Sequence, residues 1–276
     1  MNLLKKIINR VNQKLLSEVL KIISKQNEKF FELLFNLYSK FVKSVKVKVK
    51  FISPNYYVID KDKKYKFFPI ERIKFYAKGL DYRFKILREE YLLENIKFKD
   101  DDIIIDTGAN NGDFYYCFNQ KIEYHGFEPS PVVFKNLEYN VKNQNLYQLG
   151  LWKNSNEKIE FYLKDKSGDS SMIPINNYEK KIYINTITLD EVINKINKNI
   201  KLIKLEAEGA EPEILSGLVK NLNKVEYLTI DCGFERGVKL ESTIADCTNY
   251  LLKNNFKMVQ FAKYRTVVLF KNNSFL

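Results

Sequence analysis

The chain has 276 residues, 45% of them hydrophobic, and a formal net charge of +12. This length allows one large domain or one domain with an appendage, and the apolar content excludes wholesale disorder. The three cysteines are odd in number and widely spaced. They favour neither a disulfide framework nor a zinc site, and they fit a reducing compartment.

The basic charge is concentrated in the first third of the chain. Residues 1–100 contain 24 Lys and Arg against 11 Asp and Glu, whereas residues 101–276 contain 22 against 23. One interpretation is attraction to an anionic partner such as a membrane surface, an acidic glycan or nucleic acid. The other is a solvated lysine face on ordinary helices.

The first 45 residues have apolar side chains at helical spacing, which predicts one amphipathic helix and a second around residues 30–42. In the first helix the apolar positions are Leu4, Ile7, Ile8, Val11, Leu15, Val19, Ile22 and Ile23. Charged or polar residues interrupt every apolar run. A signal peptide or a membrane span needs an uninterrupted apolar run, so the sequence predicts neither. We therefore expect a cytoplasmic protein. The apolar stripe could pack on its own domain, form a homodimer contact, or lie peripherally on the inner face of a membrane.

Between residues 47 and 68 the apolar period changes to two, which predicts antiparallel strands with polar turns. Residues 71–94 return to a helical rhythm that Gly79 interrupts. We interpret residues 1–95 as an N-terminal extension of helices and a β-hairpin. It would serve as a wall of the substrate site or as an oligomer contact.

From residue 101 onward, apolar strands alternate with helices, the pattern of a doubly wound α/β sheet. Strands are predicted near residues 102–106, 124–128, 146–151, 201–206, 225–231, 256–262 and 265–270. The last two are joined by so short a link that only a hairpin fits, which makes the last strand antiparallel in a mostly parallel sheet. That ending is typical of class I methyltransferases with a Rossmann-like sheet. An insertion over residues 158–188 is expected to form a flap over the ligand edge.

The most informative stretch is a β-branched strand that runs directly into a glycine-containing turn at Asp106-Thr-Gly-Ala-Asn-Asn-Gly112. A helix-like segment is expected at residues 115–120. The turn lacks the Gly-x-Gly-x-x-Gly of dinucleotide sites and the Gly-Lys-Ser/Thr of P-loops. Glu128 ends the next apolar segment, one strand-helix-strand unit later, where it can meet the two hydroxyls of a ribose. This is the arrangement of an S-adenosylmethionine site.

Several further motifs make the chain resemble the FkbM-type methyltransferases, which are S-adenosylmethionine-dependent O-methyltransferases. The matching segments are Asp106 to Gly112, Gly126-Phe-Glu-Pro129, Gly168-Asp-Ser-Ser171, Thr188-Leu-Asp190, Lys204-Leu-Glu-Ala-Glu-Gly-Ala-Glu211 and Asp231-Cys-Gly-Phe-Glu-Arg-Gly237. They cover residues 100–240 in the order of the family. The resemblance implies that residues 96–276 form an S-adenosylmethionine-binding domain that releases S-adenosylhomocysteine.

The cofactor-binding residues are predicted at the ends of the first three core strands, because ligands of open α/β sheets lie beyond the carboxyl ends. We expect the methionine moiety near Asp106 and the ribose on Glu128, as the resemblance also implies. Trp152 could lie on the adenine or pack internally. The predicted set is Asp106, Gly108, Ala109, Asn110, Gly112, Glu128, Pro129 and Trp152.

The catalytic residues are predicted on the fourth and fifth core strands. Lys204 and Glu206 alternate onto one face of an otherwise apolar strand, where a buried lysine needs an acid such as Glu206, Glu208 or Asp231. Glu206 would receive the acceptor proton or orient the hydroxyl, and Lys204 would tune it. A purely structural ion pair is the alternative. The family often has aspartate at the position of Glu206.

The predicted substrate-binding residues lie in the loops around this edge. Glu235 and Arg236 could grip a polar or acidic acceptor, and Ser170 and Ser171 reach it from the flap, with Glu208 beside them. The acids Glu206, Glu208, Glu211 and Asp231 could bind a hard cation, but no spacing demands one, so we predict no obligatory metal. His125, the single histidine, is expected to be packed and not to act as a base.

The leading hypothesis is an O-methyltransferase for a hydroxyl of a small molecule or glycan, extending by resemblance to a sugar of a bacterial surface polysaccharide. A nucleic-acid methyltransferase is the second hypothesis, although the Asn/Asp-Pro-Pro-aromatic tetrad of many base methyltransferases is replaced here by Glu206-Ala-Glu-Gly. Nucleic acid is therefore not the expected partner. A third hypothesis is a basic membrane-associated module without catalysis.

Overall fold

A computed structural model describes residues 18–20, 22–23, 27–164 and 168–275. The apolar stripe predicted from Leu4 to Leu15 lies outside these residues. The chain forms two compact units, divided between Arg83 and Phe84. A boundary near residue 95, which the sequence suggested, stays a prediction.

The N-terminal unit contains one long helix and a small sheet. Helix α1 (Glu28–Phe41) begins after Asn27, whose side chain accepts the Phe30 N–H at 3.0 Å. Strands β1 (Lys48–Ile52), β2 (Asn55–Asp60) and β3 (Lys63–Phe67) pair antiparallel in that order. Both the second helix and the antiparallel strands predicted from the sequence are confirmed.

The interruption predicted at Gly79 separates two helices, α2 (Ile73–Tyr76) and α3 (Leu80–Glu90). Gly79 has φ +106°, a conformation that side-chain-bearing residues rarely adopt. The chain therefore turns sharply at this residue before α3 begins.

The C-terminal unit is built on a seven-stranded sheet in the order β14-β15-β11-β10-β4-β5-β6. The strands are β4 (Ile103–Thr107), β5 (Glu123–Phe127), β6 (Asn145–Tyr147), β10 (Ile200–Leu205), β11 (Val225–Asp231), β14 (Phe256–Phe261) and β15 (Val267–Asn272). β15 runs antiparallel to both of its neighbours, β14 and β11, and the other neighbouring strands pair parallel. The helices are α4 (Pro131–Asn140), α5 (Leu189–Ile196), α6 (Glu211–Ser216) and α7 (Ile244–Lys253). The predicted doubly wound sheet with an antiparallel last strand is thus confirmed.

Two local predictions differ from the structure. The third core strand, expected over residues 146–151, divides into β6 and β7 (Gly150–Leu151), which join different sheets. The helix expected at residues 115–120 is wrong, because only a 3₁₀ turn over Asp113–Cys117 follows the glycine-containing turn. That segment is rich in aromatic residues, which lose side-chain freedom in a helix. Their rings pack instead on different neighbours.

The insertion after the third core strand forms a second, three-stranded sheet of β7, β9 (Lys180–Ile187) and β8 (Lys158–Leu163). A short pair, β12 (Phe234–Arg236) and β13 (Glu241–Ser242), follows the fifth core strand. Among the described residues, no helix combines the length and the apolar character that crossing a membrane requires.

Candidate active site

The glycine-containing turn after β4 is held tightly against the ends of two neighbouring strands. The N–H groups of Gly108 and Ala109 both donate to the Phe127 carbonyl, at 3.0 and 2.9 Å. Gly108 and Gly112 have φ of +70° and +91°. A Cβ at Gly108 would overlap the Glu206 carbonyl oxygen. Glycine is therefore required at position 108 both by conformation and by space.

Glu128 lies at the end of β5, directly beside this turn. Its Oε2 accepts the Asn110 N–H at 3.0 Å, and its Oε1 accepts the Ser130 N–H at 2.8 Å. An ionised carboxylate has about four lone-pair sites and only accepts hydrogen bonds, so it is the type of group to which a ribose hydroxyl donates. The structure thus places Glu128 next to the turn, as the predicted spacing required.

Two hydroxyl groups in this region are suited to a polar ligand. Thr107 Oγ1 and Ser130 Oγ are buried, and neither has a hydrogen-bond partner within the described part of the protein. Buried hydroxyls without partners are costly, and a polar ligand can satisfy them. Together with the Glu128 carboxylate beside the turn, they fit an S-adenosylmethionine-like group bound at this edge.

Lys204 connects the turn to Glu206, which directly follows β10. Its side chain is 3% exposed and lies on β10. The ammonium donates to Asp106 Oδ1 at 2.8 Å and to the carbonyls of Thr107 and Gly108 at 3.2 and 3.1 Å. It also lies 3.0 Å from Glu206 Oε2. Glu206 is thus confirmed as a partner of the buried lysine, and Asp106 is a second partner that the sequence did not indicate.

Asp106 is completely buried, and both of its oxygens are engaged by the protein. Tyr124 donates its hydroxyl to Oδ2 at 2.5 Å, and Lys204 binds Oδ1. Gly126 lies opposite Asp106 in the sheet, and a Cβ there would come within 2.8 Å of the Tyr124 ring. The glycine therefore makes room for the tyrosine that fixes the acid. Direct contact of Asp106 with the methionine moiety stays a prediction.

Arg265, in the link between β14 and β15, joins the two predicted catalytic acids. Its guanidinium pairs with Glu206, and its Nε donates to Asp231 Oδ2 at 2.6 Å. Glu90 Oε2 lies 3.6 Å from the same group. The buried Tyr91 ring has Lys204 5.4 Å and Arg265 5.2 Å from its centre. Arg265 was not predicted as a site residue.

These contacts set the protonation of the inner acids. Burial opposes ionisation of Glu206, but Arg265 and Lys204 outweigh it and hold the pKa of this carboxyl well below its usual range. Burial raises the pKa of Asp231 despite the opposing Arg265 charge. Burial alone would lower the pKa of Lys204. The negative charges of Asp106 and Glu206 together outweigh burial and raise the pKa, so the lysine stays charged.

A second group of acids lies nearby without cations. Burial, followed by repulsion from Glu235 and Asp169, raises the pKa of Glu208 well above its usual range. Burial and the charges of Asp231 and Glu206 raise the pKa of Glu235 to about 8. These two predicted substrate-binding residues are thus close to each other and to Glu206, one of the predicted catalytic acids.

Glu211 and Arg236 both hold the loop between β10 and α6. Glu211 Oε1 accepts the Ala207 and Gly209 N–H groups at 2.9 and 3.2 Å, and burial raises its pKa to about 7. Arg236 forms a two-pronged ion pair with Glu213 at 2.6 and 2.8 Å. Its predicted grip on an acceptor stays a prediction, because its guanidinium already has this partner.

The two serines and the tryptophan have structural contacts. Ser171 donates its hydroxyl to the Glu208 carbonyl at 2.8 Å, which ties the insertion to the loop after β10. Ser170 accepts the Lys164 N–H at 2.9 Å. Trp152 packs against the main apolar core, and its carbonyl lies against Gly217. Roles of these residues in binding cofactor or acceptor stay predictions.

His125 and the candidate metal ligands are the last of the residues considered from the sequence. The His125 ring is buried, with Glu123 Oε1 3.0 Å from Nε2, and burial lowers its pKa. It lies within β5, away from its carboxyl end. Across the described ranges, no group of three or more His, Cys, Asp or Glu side chains has an arrangement suited to a metal ion. The prediction of no obligatory metal is not tested by this observation.

The family described as "Methyltransferase FkbM domain" matches residues 106–258. Methyltransferase 1 of Beauveria bassiana (strain ARSEF 2860) is 26% identical over 149 residues, which are 44% of this chain and 60% of that protein. The chain thus spans less than two thirds of this curated relative.

Two solved structures align with part of this chain. An rRNA methylase from Streptococcus thermophilus aligns with a TM-score of 0.38 and 11% identity, over 67% of this chain and 94% of that one. Magnesium protoporphyrin IX methyltransferase from Synechocystis PCC 6803, with bound S-adenosylmethionine, aligns with a TM-score of 0.40 and 8% identity. That alignment covers 69% of this chain and 78% of the other.

The strand order, with one antiparallel strand inserted beside β11, and the glycine-containing turn followed by Glu128 define a class I methyltransferase fold. The family match extends over more than half of the chain and includes the turn and both acid-bearing strands. The chain belongs to the FkbM methyltransferase domain family.

Proposed function

We propose that the chain is an S-adenosylmethionine-dependent O-methyltransferase acting on a hydroxyl of a small-molecule or glycan acceptor, including a sugar of a bacterial surface polysaccharide. The observation that carries the proposal is the meeting of Glu206, Asp231 and Glu235 beside the glycine-containing turn. A hydroxyl acceptor needs a carboxylate to orient it and a group to take its proton. This edge of the sheet supplies both.

The residues around the turn would hold the cofactor. Glu128 would accept hydrogen bonds from the ribose hydroxyls, and the hydroxyls of Thr107 and Ser130 would gain the partners they lack. When bound, S-adenosylmethionine supplies an electrophilic methyl group, whose bond to sulfur breaks as the bond to the acceptor oxygen forms. The protein is required mainly to position the acceptor in line with that methyl group.

Glu206 and Glu235 would have different roles toward the acceptor hydroxyl. Glu206 is held ionised by Lys204 and Arg265, so it is a weak base but a fixed acceptor for the substrate hydroxyl. Glu235 has a pKa of about 8, which suits a group that receives a proton near neutral pH. We therefore assign orientation to Glu206 and proton transfer to Glu235.

The surroundings support a sugar-like acceptor. Phe234 and Tyr264 are strongly exposed aromatic residues, and each directly precedes a charged site residue, Glu235 or Arg265. Aromatic rings offer flat apolar surfaces, while carboxylates accept hydrogen bonds from hydroxyls. A sugar presents both an apolar ring face and hydroxyl groups. The glycan class itself comes from the resemblance to the family.

Calorimetric titration with S-adenosylmethionine and S-adenosylhomocysteine tests the cofactor part. We expect the wild type to bind both and Glu128→Gln to bind at least tenfold more weakly, because a carboxylate accepts both ribose hydroxyls and an amide does not. Glu138→Gln, an exposed change on α4, should bind like the wild type. Absence of binding to the wild type would contradict the proposal.

A transfer assay with ¹³C-methyl-labelled cofactor tests the acceptor part. Free sugars, oligosaccharides, amines and RNA are offered separately, and NMR of the product distinguishes a methyl on oxygen from one on nitrogen. We expect transfer to a sugar hydroxyl. Transfer only to nitrogen, or only to RNA, would exclude the proposed acceptor while leaving the cofactor assignment intact.

A further inference from the structure

Helix α1 has an apolar face that is exposed to solvent and is not covered by the described residues of the N-terminal unit. One side of the helix packs on the small sheet, where Phe31 and Phe35 are fully buried. Asn36 also binds the backbone of Val49 in β1 at 2.7 and 2.8 Å. This side fixes the orientation of the helix on the edge of the sheet. The remaining apolar residues of α1 therefore point elsewhere.

These residues form what we call the outer stripe. It consists of Phe30, Leu33, Leu37 and Phe41, which are 45%, 62%, 49% and 79% exposed. Their spacing of three and four residues places them on one face of the helix, away from Phe31 and Phe35. A continuous exposed apolar stripe of this kind marks an interaction surface, whereas singly scattered apolar residues do not.

The charge of the same unit indicates what would cover the stripe. Residues 27–83 contain fourteen Lys and Arg against six Asp and Glu. On α1, Lys29 and Lys40 are exposed along one side of the stripe, whereas the acids Glu28 and Glu32 lie on the opposite face, where Glu32 accepts the Phe51 N–H. A second copy of the chain would bring two such positive surfaces together. A bilayer rich in anionic lipids offers both hydrocarbon for the stripe and negative charge for the lysines.

We propose that α1 binds an anionic membrane surface, with the outer stripe inserted at the boundary between headgroups and acyl chains. The lysines would extend their charged ends toward the lipid phosphates while their stems cover apolar surface. The binding would be peripheral and reversible, since it uses one face of one helix. The proposal is independent of the methyl acceptor.

Co-sedimentation of the full-length chain with vesicles tests it. We expect binding to phosphatidylglycerol-containing vesicles at low salt and little binding to pure phosphatidylcholine vesicles. The double variant Leu33→Asn/Leu37→Asn should bind at least tenfold more weakly, because two apolar side chains no longer enter the bilayer. Val219→Asn/Leu252→Asn, which changes two exposed apolar residues of the other unit, is the matched control and should bind like the wild type.

Two charge variants and a hydrogen-exchange measurement complete the test. Lys29→Gln and Lys40→Gln should each weaken binding about fivefold, the effect of one cation near an anionic surface. In the wild type, hydrogen exchange of residues 28–41 should slow when phosphatidylglycerol vesicles are added. Failure of the wild type to bind these vesicles would overturn the proposal. Equal binding by the outer-stripe variant would do the same, and a dimer that the variant abolishes would assign the stripe to a second copy.

Discussion

The acids around the end of β10 form two groups that differ in their partners. Asp106, Glu206 and Asp231 each contact Lys204 or Arg265. Glu208, Glu211 and Glu235 have no ion pair within the described part of the chain, and their pKa values are raised. Burial raises the pKa of acids in both groups, Asp106 and Asp231 included, and only Glu206, between Lys204 and Arg265, has its pKa held well below the usual range. The comparison teaches that two cations together keep a buried carboxyl ionised, whereas without an ion pair the pKa rises to about 7 at Glu211 and about 8 at Glu235, where a proton can exchange near neutral pH.

Removing the cation of the first group should have the largest effect. Lys204→Met would leave Asp106 and Glu206 buried without their shared ammonium, which is expected to lower the free energy of unfolding by about 3–5 kcal/mol. Urea unfolding measures this change. Lys195→Met removes an exposed pair with Glu191 and should cost less than about 0.5 kcal/mol. Similar losses in both variants would contradict the buried role of Lys204.

Glu211 tests the second group through the dependence of stability on pH. Its pKa is about 7 in the folded chain against 4.5 ordinarily, so the unfolded chain ionises first as pH rises. Wild-type stability should therefore fall between about pH 4.5 and pH 7, by about 3 kcal/mol in total from this group. Glu211→Gln should lack this fall, whereas Glu138→Gln should keep it. Parallel stability curves for wild type and Glu211→Gln would show that the acid is not buried uncharged.

Glu235 tests the same group through catalysis. If Glu235 receives the acceptor proton, Glu235→Gln should lower kcat about a hundredfold, within the usual range for loss of a general base. The wild-type rate should rise with pH up to about 8, as the carboxyl ionises, and the variant should lack that rise. Cofactor affinity should not change. Glu241→Gln, an exposed change in β13, serves as the control. An unchanged pH profile in Glu235→Gln would assign the proton to another group.

Arg265 gives the smallest of the expected effects. Arg265→Lys keeps the charge but loses the fork that joins Glu206 to Asp231. We expect kcat to fall about tenfold through poorer orientation of Glu206, with little change in stability. Lys263→Arg alters a neighbouring exposed residue and should be silent. If Arg265→Lys is as active as the wild type, the forked contact of Arg265 with Glu206 and Asp231 is not needed for activity, and a single positive charge is enough.

Most of the fold was accessible from the sequence because its core strands are short apolar runs with clear ends. The strands predicted near residues 102–106 and 201–206 lie at 103–107 and 200–205. The link between β14 and β15 also predicted an antiparallel strand, because four residues cannot form a crossover. The division of the third strand into β6 and β7 was missed, since both halves are apolar and their different partners are set by tertiary pairing.

The site was less accessible, because its cationic half comes from distant parts of the chain. Arg265 reaches Glu206 because β15 pairs with β11. An arginine in a hairpin link does not by itself show which strand the hairpin will pair with. Tyr124 meets Asp106 because Gly126 leaves space for its ring. The acids themselves were found, since each follows a predicted strand. A lone arginine in a short link gave no such signal.

The position of Lys204 has a consequence for how strongly two ligands at this edge would bind. One ammonium holds two carbonyls of the turn and, on its other side, the carboxylate proposed to orient the acceptor. A ligand that shifts the turn therefore changes the field at Glu206, and a ligand on Glu206 changes the hold on the turn. By linkage, the two affinities must alter each other by the same factor. Cofactor and acceptor should consequently bind as a thermodynamically coupled pair.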